Sequence, residues 1–261
     1  MGDSLKLKKI SILLQVRISS NRLPNKALLN LQGQSMLYRQ IERIKESTYG
    51  ESLVILTSNL EEDDIIENIA ISANVKVFRG DLQNVANRFL QFLNRYPCDF
   101  FVRITGDCPL ISPKIMDRVI DYAVEKNTDY CSNNLIPTYP DGLDVEVIKV
   151  ESYRRLMNYN LTLFEKEHVT YGMYTRMNEF KCINYANDND LSSMRWTVDT
   201  QEDFDFVSIV YGNLYDKKHN FDLEDILDLI NTNKIKNRTV KEYPRNKAVI
   251  EYKSGSQING F

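Results

Sequence analysis

From residue 10 onward, short continuous apolar runs alternate with segments in which apolar residues recur every three or four positions. ISILLQV is followed by MLYRQIERIKES, where Met36, Leu37, Ile41 and Ile44 repeat at helical spacing. SLVILTS precedes EEDDIIENIAISA, VKVF precedes NVANRFLQFLNRY, and DFFVRIT precedes PKIMDRVIDYAVEK. Strands that are apolar throughout suit a sheet covered on both faces, and their alternation with helices implies parallel pairing. The pattern predicts a doubly wound α/β domain.

The second half changes character. NNLIPTYPDGLDVEVIKV carries Pro137, Pro140 and Gly142, then alternates Leu143, Val145 and Val147 with Asp144 and Glu146. That alternation predicts a half-exposed strand, part of a small β insertion on the main sheet spanning about residues 133–185. SYRRLMNYN and FEKEHVTYGMYTRM have helical spacing, and RWTVDT predicts one more short strand. QEDFDFVSIVYGNLY is a helix with Glu202 and Asp203 in its first turn, where the dipole favours them. FDLEDILDLINTNK predicts a last amphipathic helix, and the polar EYKSGSQINGF a loosely held tail. With no internal repeat or low-complexity block, residues 1–261 are expected to form a single domain.

Composition adds mainly exclusions. A hydrophobic content of 43% and a charged content of 26% are ordinary for a globular chain. The formal net charge of −3 gives no reason to expect a nucleic acid or an anionic membrane as partner. No apolar run reaches the ~18 residues of a membrane span, and the N-terminus lacks a small-residue cleavage site. Four dispersed cysteines and two histidines argue against zinc and for a reduced, cytoplasmic protein.

Against that balance, QVRISSNRLPNK stands out: Arg17, Arg22 and Lys26 lie in one short loop directly after the first strand. Parallel α/β sheets bind ligands beyond the carboxyl ends of their strands. TGDCPLI, with Asp107, and VDTQED, with Asp199, occupy the same kind of position. Each has a plainer reading: solvated arginines, a turn aspartate, or an N-cap for the following helix. Taken together they fit a polyphosphate held by cations and backbone N–H groups, with two carboxylates for Mg²⁺.

QVRISSNRLPNKALL also resembles the A-R-x-G-S-x-R-L-P-x-K signature of CMP-sugar synthetases, closest to the spore-coat-polysaccharide F-type cytidylyltransferases. RITGDCPLISP, YPDGLDVEVI, EKEHVT and RWTVDTQEDF resemble that family's further blocks in the same order, over about residues 9–215. The resemblance implies a Rossmann-like, mostly parallel sheet of the nucleotide-diphospho-sugar transferase type. It also implies a homodimer that joins CTP to a sugar or acidic sugar and releases pyrophosphate. On this resemblance Arg17, Ser20, Arg22 and Lys26 hold the triphosphate, with Arg17 and Lys26 facing the charge that develops during transfer. Asp107 and Asp199 would bind Mg²⁺, and Arg79 and Arg88 lie near the base. Asp141, Asp144, Glu146 and His168 would face the acceptor. The chain departs from the pattern where Ser19 and Asn25 replace glycines and Tyr171 replaces a proline.

Two rival classes remain open at this point. A glycosyltransferase that uses a sugar nucleotide would need a D-x-D metal motif; Asp203-Phe204-Asp205 has those letters, but within a helical pattern. A nucleotide-binding relative without catalysis is the other.

Overall fold

β1 (Ile10–Gln15) is the first strand of the fold, with all but its last residue buried. The structure, a computed structural model, describes residues 8–19, 22–232 and 234–258. β2 (Asn30–Leu31) and β3 (Gln34–Ser35) then form a small antiparallel hairpin around Gln32 and Gly33, both at positive φ. α1 (Met36–Lys45) starts at Ser35, whose hydroxyl accepts from the Tyr38 amide. β4 (Leu53–Ser58), α2 (Asp64–Ser72), β5 (Lys76–Gly80), α3 (Val85–Arg95), β6 (Phe100–Thr105) and α4 (Pro113–Glu125) follow where the periodicity predicts them. Asn84 caps α3, and Ser112 with Pro113 at the first helical position opens α4.

β7 (Tyr130–Ser132), β8 (Glu146–Lys149), α5 (Val150–Leu156), α6 (Leu163–Glu167), α7 (Tyr171–Tyr174) and β9 (Cys182–Asn184) make up the middle. The chain ends with α8 (Gln201–Leu214), α9 (Leu223–Asn231) and α10 (Lys247–Ile258). Seven strands form one sheet in the order β5-β4-β1-β6-β8-β7-β9. Only β8 runs against its neighbours, so the sheet is mostly parallel. Among the described residues no helix is long and apolar enough to cross a membrane.

Both faces are covered, which explains the continuous apolar strands. Ile12 and Leu14 of β1 pack with Leu37, Ile41 and Ile120 on one side, while Leu13 packs with Phe89, Phe101 and Tyr153 on the other. Burying each such side chain stabilises the fold by about 1.5–3 kcal/mol. The chain moves from β1 outward to β4 and β5, then returns to the other side of β1 with β6. The β1–β6 boundary is therefore the switch point, where diverging loops leave a crevice at the strands' carboxyl ends.

The structure departs from the sequence expectations at three places. The alternating segment does not give a half-exposed strand: β8 is buried between β6 and β7, because its polar Glu146 finds an arginine on β6. RWTVDT is not a strand: Arg195 makes an isolated bridge with Asp141, and Met194, just before it, another with Thr239. Gly142 permits the first of these. Its φ is +107°, and a Cβ there would stand 2.5 Å from the Thr197 nitrogen. The C-terminal stretch is not a loose tail through residue 258 but continues α10, where Tyr252 stacks on Phe164 with ring centroids 4.0 Å apart.

Candidate active site

Described residues of the segment after β1, Arg17, Ser19, Arg22 and Lys26, line the crevice, and a short 3-10 helix follows at Lys26–Leu28. The segment's entry is pinned by the fully buried Asp63, whose carboxylate accepts from the Ile18 amide at 2.8 Å and from Ser58 at the end of β4. Asn25, which replaces a family glycine, has φ 57° and ψ 22°. Glycine and asparagine are the residues that enter this left-handed conformation most readily, so the exchange keeps the turn. Ser19 is not among the described residues at positive φ and needs no glycine.

Lys26 is placed by this turn under the crevice. Its Nζ donates to the Val198 carbonyl at 2.7 Å and lies 3.0 Å from Asp199 and 3.6 Å from Asp107. Burial alone would lower the Lys26 pKa, but the two carboxylates outweigh it and raise it. At Asp107 burial opposes the charged form, yet Lys26 and the Thr105 hydroxyl hold the carboxyl below its ordinary range. These contacts remove the plain readings of both aspartates. Asp107 is not confined to capping a turn, and the N-cap of α8 is Thr200, in a reciprocal capping box with Asp203.

Behind Asp199 lies Arg195, 1% exposed, which links three carboxylates. It meets Asp141 at 3.0 Å, Asp199 at 3.0 Å and Asp203 at 2.9 Å. Arg22 reaches Asp199 at 2.6 Å and donates to the Tyr243 hydroxyl at 2.9 Å. Tyr243 in turn lies under the Arg195 guanidinium, 4.7 Å from ring centroid to carbon. Asp203 of the D-x-D letters is thus buried in an arginine network, while Asp205 accepts from Gln201 on its own helix. They do not form a metal motif.

The crevice has two lobes. One, of about 500 Å³, is lined by Arg17, Ser19, Lys26, Arg88 and the end of β1. The other, of about 670 Å³, is lined by Asp141, Asp144, Glu146, Asn134 and the Tyr243–Lys253 segment. Arg22, Arg103, Thr105, Asp107, His168 and Ala248 line both and mark the junction. Arg88 is buried against the Asp81 and Leu82 carbonyls; burial, with Arg17 adding repulsion, pushes its pKa down to about 10. Asp141 is pushed up to about 7 by burial and by neighbouring Asp144, against the pull of Arg245 and Arg195. Asp144 is raised as well, chiefly by burial.

The structure brings together Arg17, Arg22, Lys26, Arg88, Asp107, Asp199, Asp141, Asp144, Glu146 and His168. Ser20 lies outside the described residues. Arg79 is not at the crevice: it bonds Asp64 at 2.5 Å, Glu67 at 3.1 Å and the Ser58 and Leu60 carbonyls, tying β5 to α2. Glu146 lines the second lobe, but its oxygens already accept from Arg103, Tyr130 and Thr170, so its work is to hold Arg103. His168 both ends α6 and lines the junction; burial lowers its pKa. Arg103, Arg195, Tyr243 and Arg245 escaped the sequence reading. Arg103 had a signal, a lone charge inside an apolar strand, and Arg195 another, in its spacing of four and eight from two aspartates. Tyr243 and Arg245 had none, being far away in a polar segment.

Residues 11–249 match the family model described as Cytidylyltransferase. The chain belongs to the cytidylyltransferase family. This cytidylyltransferase is 34% identical over 236 residues to MJ1063, an uncharacterized protein of Methanocaldococcus jannaschii, covering 88% of this chain and 93% of that one. It is 25% identical over 243 residues to the spore coat polysaccharide biosynthesis protein SpsF of Bacillus subtilis, covering 87% and 96%. A cytidylyltransferase from Leptospira borgpetersenii superposes with a TM-score of 0.83 at 31% identity, over 87% of this chain and 95% of that one. A CMP:2-keto-3-deoxy-manno-octonic acid synthetase solved with CTP shares the fold, with a TM-score of 0.60 at 15% identity, over 78% and 99%. The resemblance and the Rossmann-like, mostly parallel fold expected from the sequence are both borne out. The family makes this cytidylyltransferase a nucleotidyltransferase that uses CTP.

Proposed function

We propose that this cytidylyltransferase condenses CTP with a sugar or acidic sugar, releasing pyrophosphate and a CMP-sugar for surface glycan assembly. The observation that carries this reading is the two-lobed crevice at the switch point, with Arg22, Arg103 and Asp107 shared by both lobes. The first lobe suits a triphosphate. Arg17 has no carboxylate partner among the described residues, and Arg88 adds a second positive charge beside it. Arginine grips two oxygens at once, while Lys26 offers a point charge. The second lobe offers acceptors and amides to a polyhydroxylated partner.

Asp107 and Asp199 fit Mg²⁺ by their donor chemistry: two hard oxygens converge on the single position that the Lys26 ammonium neutralises. Among the described residues no third His, Cys, Asp or Glu joins them. When bound, the ion would supply charge neutralisation for the leaving pyrophosphate. The acceptor hydroxyl oxygen attacks the α-phosphorus, and the bond from that phosphorus to the bridging oxygen breaks. Arg22 and Arg103 at the junction face the charge that builds on the α-phosphate. The hydroxyl proton passes to His168, which lines the junction of the two lobes and whose pKa burial lowers. Lobe walls fix the approach, which supplies much of the rate.

The test is pyrophosphate release with each of the four NTPs, Mg²⁺ and a panel of sugars, for the native chain and for Asp107→Asn. Release that requires both CTP and a sugar, and that Asp107→Asn abolishes without unfolding, is expected. Nucleotide binding with no turnover across the panel, or full activity of Asp107→Asn, would overturn the proposal.

A further inference from the structure

On the face of the sheet carrying α1 and α8 lies a second cavity, of about 470 Å³. It is bounded by α1, by Pro113 at the start of α4, and by Tyr211, Tyr215, His219 and Phe221. Its lining shares no residue with either lobe of the crevice.

Four arginines are buried among the described residues: Arg39, Arg43, Arg88 and Arg195. A buried guanidinium is costly unless a counter-charge meets it. Arg195 has its three aspartates, and Arg39 has Glu42 at 2.7 Å together with the Leu31 and Gln32 carbonyls and the Tyr215 hydroxyl. Among the described residues Arg88 and Arg43 have no carboxylate within ion-pair distance. For Arg88 the reason is at hand, since it lines the lobe that takes the nucleotide phosphates. Arg43 lines the second cavity instead. Its Nε donates to the Ile111 carbonyl at 2.8 Å, its carbon lies 4.4 Å from the centroid of the Phe221 ring, and its Nη2 is buried with no acceptor.

We propose that this cavity is a second anion site, taking a phosphate- or carboxylate-bearing molecule of about nucleotide size, with Arg43 meeting the anion. Arg43 and the exposed Lys45 supply positive charge in excess of Glu46, Glu42 being already committed to Arg39. The rings of Tyr211, Tyr215, His219 and Phe221 offer an apolar wall to a flat body. A volume of about 470 Å³ lies within the range of ordinary small-ligand sites. The site lies beneath the loop that carries Asp107: Arg43 holds the Ile111 carbonyl and Tyr211 the Pro109 carbonyl at 2.8 Å.

The crevice also attracts anions, so the test begins with Arg17→Gln/Lys26→Met, which strips it of two cations. Thermal unfolding of this protein is followed against inorganic phosphate and CMP, with chloride at matched ionic strength as control. A Tm rise of about 3–6 °C is expected once the anion stands tenfold above its Kd. Adding Arg43→Met should remove that rise. If that variant does not fold, Lys45→Met/His219→Ala, on the exposed rim, should cut the affinity at least threefold. A rise that survives these changes, or that chloride reproduces, overturns the second site. Neither outcome bears on CTP turnover, which the pyrophosphate assay reads separately.

Discussion

Replacing Lys26 by methionine removes a cation that lies within 4 Å of both Asp107 and Asp199. At the observed separations of 3.0 and 3.6 Å and an effective dielectric of about 20, each gross attraction is ~5 kcal/mol. Desolvating an ammonium whose side chain is only 14% exposed offsets several kcal/mol of that. A net stability loss of about 1–3 kcal/mol at neutral pH is expected. The two carboxylates are left in different circumstances. Asp199 keeps its ion pairs with Arg22 and Arg195, whereas Asp107 keeps the Thr105 hydroxyl at 2.5 Å, the Cys108 thiol and the more distant charge of Arg22.

That difference gives the variant a pH signature. In the native chain the Asp107 pKa lies below its ordinary 3.8, so its charge contributes stability above about pH 4 that is lost as pH falls through the folded value. Without Lys26, burial is no longer outweighed and lifts the carboxyl above 3.8. The contribution then reverses: it is present at acid pH and lost as pH rises. The stability gap between the two proteins should therefore widen from pH 4.5 to 7.5, by about 1.4 kcal/mol for each tenfold difference in proton affinity. Urea unfolding at four pH values measures it, and CTP turnover should fall about 10²–10³-fold in parallel. A gap that is flat with pH, or unaltered turnover of CTP, would refute both the ion-pair argument and this reading of the loop.

Arg195→Met should cost about 3–5 kcal/mol, because Asp203, still accepting from the Asp199 and Thr200 amides, is left buried with the 3.3 Å contact to Arg238 in place of a close ion pair; chemical denaturation checks it. Asp141 titrates near 7 in the folded protein against an ordinary 3.8, so it contributes stability at acid pH that is lost as pH rises through 7. Asp141→Asn should therefore flatten the fall in Tm between pH 5 and pH 8, and an unchanged slope would reassign that titration. Gly142→Ala should destabilise by more than 2 kcal/mol, because its Cβ would meet backbone at 2.5 Å, as thermal unfolding would show; a neutral result would deny the close approach.

What the sequence determined by itself follows from local periodicity. Each buried parallel strand is apolar on both faces and each helix on one, so their order and the doubly wound class are written in residues 10–126. The loop after the first strand was legible because Arg17, Arg22 and Lys26 crowd a place where such folds bind ligands, and the two aspartates because each follows a strand-like run. Tertiary structure alone decided which charges share a counter-ion. Glu146 looked solvent-facing from its alternation, yet it is buried, because β8 lies beside β6 and Arg103 stands opposite. Arg79 resembled a ligand but is used up by Asp64 and Glu67. Tyr243 and Arg245 reach the crevice from more than 200 residues along the chain, in a stretch whose polarity says only that it meets water. Charge pairing acts through space over about 3–4 Å and is indifferent to sequence separation, so periodicity reveals the scaffold while the partners of each ionised group appear only once the chain has folded.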